Sequence, residues 1–484
     1  MHDCFPYRSN STSFSHIWTL AWPQLFMMFL FFLCGFVETV VAGRISKEVQ
    51  VAFGVISQCI NFFAILSVAV AHGTLSVVSQ SLGAGLLCRA RRYVRLSLLL
   101  GVVFSATIVL PSLVFLDIFL DAIQVQATVR PYVRAILPIL LLTLPGFYLL
   151  SVTNAVARAY TWVKLPMYSM FLLTVCNFWL DSGLGLGMWG LPRLEHLGIA
   201  WGTFTAVYLG VGYNIIAFIR RGLIRRHAFI SLRWARVAFF YLFRVSWPSG
   251  VMQILWQSAY LVLFAIIASL PVGNMDALAG MSAGIRIEAA LFLPGLAFSM
   301  TASILVGHYL GAGEQRLARH IGWKILCAGC GFMALVAMFV WHWVDYIVAF
   351  VASDVGVATE VRGYLFYNLL AVPFTVGGMI LGGIMVGAGA TLYNMLAFGI
   401  SVWLVRIPLA WGLGHIWWRS SDGVWTSMFI SQVVQSLLLL YVFQFRDWMC
   451  YTMCSGQPGS GYYSSRLKQR KWYRKRPEKL ILTD

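Results

Sequence analysis

Residues 22–43 read WPQLFMMFLFFLCGFVETVVAG. The run matches the ~20 mainly apolar residues that cross a bilayer's hydrocarbon layer as a helix. It holds a single charged residue, Glu38, and lacks the alternation of a barrel strand. The whole chain has this character. Of its 484 residues 60% are hydrophobic and 11% charged, with a mean hydropathy of +0.78. Soluble domains carry about 25% charged residues, so an ordinary soluble protein is excluded. A chain with 15% aromatic residues and so few charges does not stay solvated and disordered. Nine cysteines are too few for a disulfide scaffold. What remains is an all-α polytopic membrane protein.

Twelve such stretches follow one another, near residues 17–42, 51–72, 95–116, 132–157, 166–187 and 197–219 in the first half, and near 245–270, 277–305, 321–343, 362–386, 391–415 and 424–445 in the second. The first has no basic region before it and is too long for a signal peptide, so it reads as a retained span. With the N-terminus inside, 26 of the 35 Lys and Arg residues fall in inside segments and seven outside. That asymmetry sets orientation and puts both termini in the cytoplasm, with 1–16 as the N-terminal segment and 446–484 as a basic tail. The net charge of +18 is then a topology signal, and the tail cluster Arg466–Lys479 reads as a membrane-surface feature rather than a nucleic-acid site.

The chain also repeats itself. Leu82-Gly83-Ala84-Gly85 and the following Ala90-Arg91 recur 228 positions later as Leu310-Gly311-Ala312-Gly313 and Ala318-Arg319. Trp22-Pro23 recurs as Trp247-Pro248, and Gly198-Ile199-Ala200-Trp201 has a weaker echo at Gly423-Val424-Trp425. Six spans per repeat is an even number, so both copies keep one orientation and their pseudo-two-fold axis lies along the membrane normal. Two six-helix lobes, 17–219 and 245–445, joined by a basic linker 220–244, are expected. A cleft between two such bundles suits alternating access better than it suits a channel or an enzyme.

Three acids sit inside spans, and intramembrane charges are functional candidates by default because each costs at least ~2.5–3.5 kcal/mol to insert. Glu288 lies two residues from Arg286 and is read with it as a structural ion pair in the outer part of span eight. Glu38 and Asp181 lie at nearly the same depth of two outward-running spans, at ~1.5 Å of rise per residue. Asn177 is one turn from Asp181 on the same face. No Lys or Arg in the outer half of either span neutralises them. Two carboxylates and an amide at one level suit a shared proton or a small hard cation such as sodium; the bland alternative is a set of polar residues lining a wet crevice.

Other motifs fade on inspection. Cys327 and Cys330 lie in an apolar run with Gly and Ala neighbours and read as helix packing rather than metal or redox chemistry. Cys450 and Cys454 read as plain interfacial thiols rather than acylation sites. The histidines fall at span ends, which disfavours an intramembrane His enzyme, and no phosphate-binding loop marks an internal ATPase. The chain is therefore expected not to be an enzyme.

Taken together, the segment Pro23 to Gly43, the two Leu-Gly-Ala-Gly-x4-Ala-Arg copies, Asn154 to Arg158, Pro166-Met167-Tyr168, Asn177-x3-Asp181, Arg286-Ile287-Glu288 and Arg406-Ile407-Pro408 resemble the multidrug and toxic compound extrusion (MATE) family over roughly residues 15–445. The resemblance implies two six-helix lobes around a V-shaped cavity and export of amphipathic or cationic compounds in exchange for protons or sodium. It implies a bacterial inner-membrane protein working as a monomer in the lipid bilayer, with small-molecule partners, no nucleic acid and no cofactor beyond the coupling ion. The DNA-damage-inducible branch keeps its ion network in the first lobe. Carried over, that network falls on Glu38, Asn154, Asn177 and Asp181, and Pro23 takes the place where the first helix bends.

This chain departs from the pattern in three places. Glu38 stands where Asp is usual, Arg158-Ala159-Tyr160-Thr161-Trp162 replaces a Gly-rich turn, and Trp256 stands near an acidic position of another branch, with no acid anywhere in 364–415. A second-lobe cation site is thus not expected. Thr203 or Thr205 is available to complete the first-lobe site. The longer Glu38 side chain favours a proton, because sodium sites tuned by ligand number and distance tolerate a displaced oxygen poorly. A lipid-linked oligosaccharide flippase of the same superfamily is the rival reading. Its cavity needs cations for pyrophosphate, whereas only Arg286 and Arg406 lie within spans.

Overall fold

The computed structural model describes residues 14–122, 128–224, 231–352 and 354–453. The basic tail cluster Arg466–Lys479, Cys454, the first residues of the N-terminal segment and part of the linker lie outside them. Among the described residues the regular structure is helical, and the helices follow the apolar stretches: α1 (Phe14–Ile45), α2 (Lys47–Gly83), α3 (Leu87–Val114), α4 (Arg130–Ala159), α5 (Lys164–Leu180) and α6 (His196–Arg220). The second half gives α7 (Leu232–Ala268), α8 in two segments (Asn274–Leu291 and Leu293–Gly311), α9 (Gln315–His342), α10 (Val355–Ala388), α11 (Thr391–Trp417) and α12 (Ser421–Phe445). Eleven helices, among them the second segment of α8, are long and apolar enough to cross a membrane. The remaining span, α5, has 17 residues and continues into a π-helical turn, Asp181–Gly185. Pro294 marks the break in α8, since it has no N–H to carry the helical ladder past Phe292.

Several helices outrun their apolar stretches at one end. α2 continues to Gly83, and α7 begins at Leu232 with the Ser231 hydroxyl accepting from the Trp234 N–H. The linker is therefore shorter than the expected 220–244. A hydropathy reading ends where polar residues begin, whereas a helix continues as long as its ladder and packing hold. The first part of the tail is also ordered: Trp448–Tyr451 forms a 3₁₀ turn with Trp448 fully buried.

Within the first lobe α2 packs on α3 and α4, α4 on α6, and α1 on α5; the second lobe repeats these relations, with the two segments of α8 dividing the role of α2. The weak echo in the sequence has a geometric cause. Gly198 packs on the backbone of Leu184 and Gly423 on that of Leu413, each with no room for a Cβ. Between lobes the most extensive contacts are those of α2 with α7, α2 with α8 and α1 with α8. An exchange of α1 with α7 and α2 with α8 leaves that set of contacts unchanged, which is the signature of a two-fold relation. The inter-lobe hydrogen bonds lie in the halves of the helices that carry the Lys and Arg clusters, such as Gln24 to Thr301 at 2.9 Å and, at the helix ends, His308 to the Ala159 carbonyl at 2.7 Å. The cleft is closed at this basic face. Exposed ion pairs, among them Arg130–Asp121 and Arg362–Asp345, decorate the opposite one.

Candidate functional site

Asp181 is reached by α5 where it loosens into the π-helical turn, and π-turns within helices recur at functional sites. The side chain is 0% exposed, and among the described residues neither carboxylate oxygen accepts a well-formed hydrogen bond, the Asn177 amide being the donor that borders it. It fits because α6 presents Gly202 there: a Cβ at that position would overlap Asp181 Oδ1. One residue along α6, the Thr203 hydroxyl donates to Glu38 Oε1 at 2.6 Å and accepts from Asn177 Nδ2 at 3.2 Å. Asn177 Oδ1 in turn accepts from the Cys34 thiol at 3.2 Å, one turn before Glu38 on α1. Three helices thus converge on one cluster: Cys34 and Glu38 from α1, Asn177 and Asp181 from α5, Thr203 from α6. Thr203 is the member used; Thr205 is exposed and bonds back to the Trp201 carbonyl.

The cluster is chemically one-sided. An ionised carboxylate buried without a cationic partner costs several kcal/mol, so Asp181 calls for a proton or a cation beside it. Oxygens of Glu38, Asp181, Asn177 and Thr203 are available for either. Asn154 stands apart. Its Oδ1 accepts from Asn214 Nδ2 at 2.9 Å and from the Ser169 hydroxyl at 3.4 Å, and Asn214 also donates to Thr153 at 3.0 Å. Among the described residues no hydrogen bond joins Asn154 to Glu38, Asn177 or Asp181. Asn214, a lone amide in an apolar helix, was the available signal for this second cluster. Pro23 is buried inside α1, which runs unbroken through it.

In the second lobe the expected pair of Arg286 and Glu288 is not formed. Two residues apart on a helix they face different sides, and Arg286 is exposed while Glu288 is buried. Glu288 instead accepts a hydrogen bond from the Tyr364 hydroxyl of α10. Arg406, buried at the end of a π-helical stretch of α11, donates from Nε to the Ser431 hydroxyl at 2.7 Å. Tyr260 of α7 borders Glu288 and Arg406. Trp256 stacks on Phe398, 5.6 Å between ring centroids and 5° between planes.

The MatE family model matches the chain twice, at residues 23–182 and 248–411, one copy within each lobe. A probable multidrug resistance protein NorM of Thermotoga maritima is 24% identical over 445 residues, 89% of this chain and 92% of the relative. A FAD transporter of Shewanella oneidensis is 21% identical over 347 residues, 70% of this chain and 74% of the relative. The crystal structure of a Vibrio cholerae MATE transporter superposes with a TM-score of 0.82 at 18% identity, covering 89% of this chain and 96% of the other. Membrane-length helices in two six-helix lobes, each matched by its own copy of the family model, make this chain a multi-pass membrane transporter belonging to the MatE (MATE) family.

Proposed function

We propose that the protein exports amphipathic or cationic small molecules in exchange for protons bound between Glu38 and Asp181, as a monomer in the bacterial inner membrane with its basic face in the cytoplasm. The observation that carries the coupling site is Asp181, fully buried, with no well-formed hydrogen bond to its carboxylate and no cationic partner among the described residues, one helix away from the Thr203–Glu38 hydrogen bond. A group so placed binds a proton or a cation when enclosed and gives it up when solvated, and alternating exposure turns that difference into transport. A proton needs only the shared carboxylates; sodium needs several oxygens at fixed distances. The likeness to NorM multidrug resistance proteins supports small-molecule efflux over lipid-linked oligosaccharide flipping.

The test is substrate efflux in proteoliposomes under an imposed pH gradient in sodium-free buffer, with a cationic dye as substrate. Wild-type protein should transport and acidify in step, and Asp181→Asn or Glu38→Gln should stop both while the protein inserts normally. Wild-type rates in both variants would remove the site. Strict dependence on sodium, with no response to pH, would give the same site to sodium.

A further inference from the structure

Two hydrogen bonds that cross between the lobes are copies of one another. Gln80 Nε2, on α2, donates to the Gly387 carbonyl at 2.8 Å, near the end of α10. His308 Nε2, on α8, lies 2.7 Å from the Ala159 carbonyl, at the end of α4. A carbonyl only accepts, so the imidazole donates there. His308 follows Gln80 by 228 positions, and Gly387 follows Ala159 by the same number, which is also the spacing of the repeated Leu-Gly-Ala-Gly. Each lobe therefore sends one side chain from its second helix to the last turn of the other lobe's fourth.

The backbones around these bonds are in contact. Gly83 lies against the backbone of His308, and Gly311, its equivalent, against the backbone of Gln80; a Cβ on either would overlap a carbonyl oxygen. Gln80 and His308 are both buried, and the seam runs along the basic end of the cleft. A rocking motion that opens this end must break both bonds together, because the pseudo-two-fold axis passes between them. Each would leave a buried donor and carbonyl unpaired unless water enters.

The Gln80 half carries a further restraint. Its Oε1 accepts from the Met453 N–H at 3.0 Å, while the Tyr241 hydroxyl of α7 donates to the Tyr451 carbonyl at 2.7 Å. The Tyr93 hydroxyl of α3 reaches Met453 Sδ at 3.6 Å. The segment after α12 thus ties Gln80 and Tyr93 of the first lobe to Tyr241 of the second.

We propose that Gln80 and His308 are paired positioning residues, a symmetric latch that holds the basic side shut, and that Trp448–Met453 straps the Gln80 half. The proposal rests on alternating access between the two lobes but not on the identity of the substrate or coupling ion. The test measures distances between spin labels on Cys88 and Arg316→Cys, two exposed positions 228 apart on the basic face, with the other cysteines replaced. The labelled background should show mainly the short separation. Gln80→Leu and His308→Leu should each raise the ratio of long to short separations on the order of fivefold, the worth of one buried hydrogen bond. Tyr241→Phe should produce a smaller shift the same way.

His308→Gln rebuilds the first lobe's own arrangement and should return the short separation, which a loss of packing alone would not predict. Folded Leu variants with the background distribution would overturn the latch, as would a His308→Gln distribution as long as that of His308→Leu. If the Leu variants do not fold, His308→Gln against the background decides alone: a short separation supports the latch and a long one refutes it. The labels report without substrate or ion gradient, so a failed efflux assay and a failed latch are separate results.

Discussion

Replacing Gly202 by alanine adds one methyl group where α6 crosses the π-helical turn that holds Asp181. The new Cβ would overlap Asp181 Oδ1 and stand 3.2 Å from the Asp181 backbone nitrogen and 3.3 Å from Leu180 Cβ. The carboxylate can rotate, but the backbone atoms are fixed by the helix, so relief requires displacing Asp181 or moving α6 from α5. Overpacking of this kind costs about 1–3 kcal/mol. Alanine returns roughly 0.5–1 kcal/mol in a helix interior, leaving a net loss of about 0.5–2 kcal/mol. Gly212, ten residues along the same helix, has nothing within 4 Å of its ideal Cβ, so Gly212→Ala should keep the helical gain and stabilise slightly. Thermal unfolding in detergent followed by intrinsic fluorescence should therefore move in opposite directions for the two variants. Ion-driven efflux should fall at least tenfold in Gly202→Ala, although both carboxylates remain, and stay unchanged in Gly212→Ala. A Gly202→Ala protein with wild-type stability and efflux would refute the crowding of Asp181 and the geometry built on it.

Thr203→Val removes both the donor to Glu38 and the acceptor for Asn177 and should cost about 1–3 kcal/mol of coupling, read as a roughly 5- to 150-fold slower pH-driven efflux, whereas Thr205→Val should leave the rate unchanged. Glu38→Asp should keep measurable efflux in sodium-free buffer, since a shared proton tolerates a shift of one bond length; complete loss there, with rescue by sodium, would count against the proton. Tyr364→Phe strips Glu288 of its donor and should destabilise the second lobe by about 1.5–3 kcal/mol in thermal unfolding, while the number of ions exchanged per substrate stays the same. A changed ratio in well-folded Tyr364→Phe protein would make Glu288 part of the coupling machinery. Arg286→Gln, removing an exposed cation with no tie to Glu288, should change neither stability nor stoichiometry measurably.

Depth along the membrane was legible in the chain because it is a count of residues at fixed rise. The level shared by Glu38 and Asp181 needed only their distances from the span ends. The repeats were legible for a similar reason: helices that must meet at a two-fold seam carry the same small residues in both copies, as Gly83 and Gly311 do. Azimuth around each helix was less accessible. Arg286 and Glu288 are close in sequence, but the helical turn separates them by more than half a right angle beyond perpendicular, and the partner of Glu288 came from α10. Asn154 shares its helix end with family positions, yet it turns toward Asn214 rather than toward the carboxylates. His72, placed at a span end by hydropathy, lies inside a long helix that outruns the apolar stretch, whereas His308 does stand in the last turn of α8, where it crosses the lobe seam.

The sequence alone determined that the chain lives in a bilayer, that it is built as two copies of six spans, and which acids sit in oil, because the cost of exposing polar groups to hydrocarbon is a property of each segment taken singly. Which side chains meet was decided only by the packed bundle. A hydroxyl on α6 bridges to Glu38 because Gly202 lets α6 approach α5, and Gln80 and His308 reach across to the opposite lobe because Gly83 and Gly311 let the lobes touch. Those meetings depend on helix rotation and crossing, which summed contacts over the whole molecule fix and no local run of residues contains.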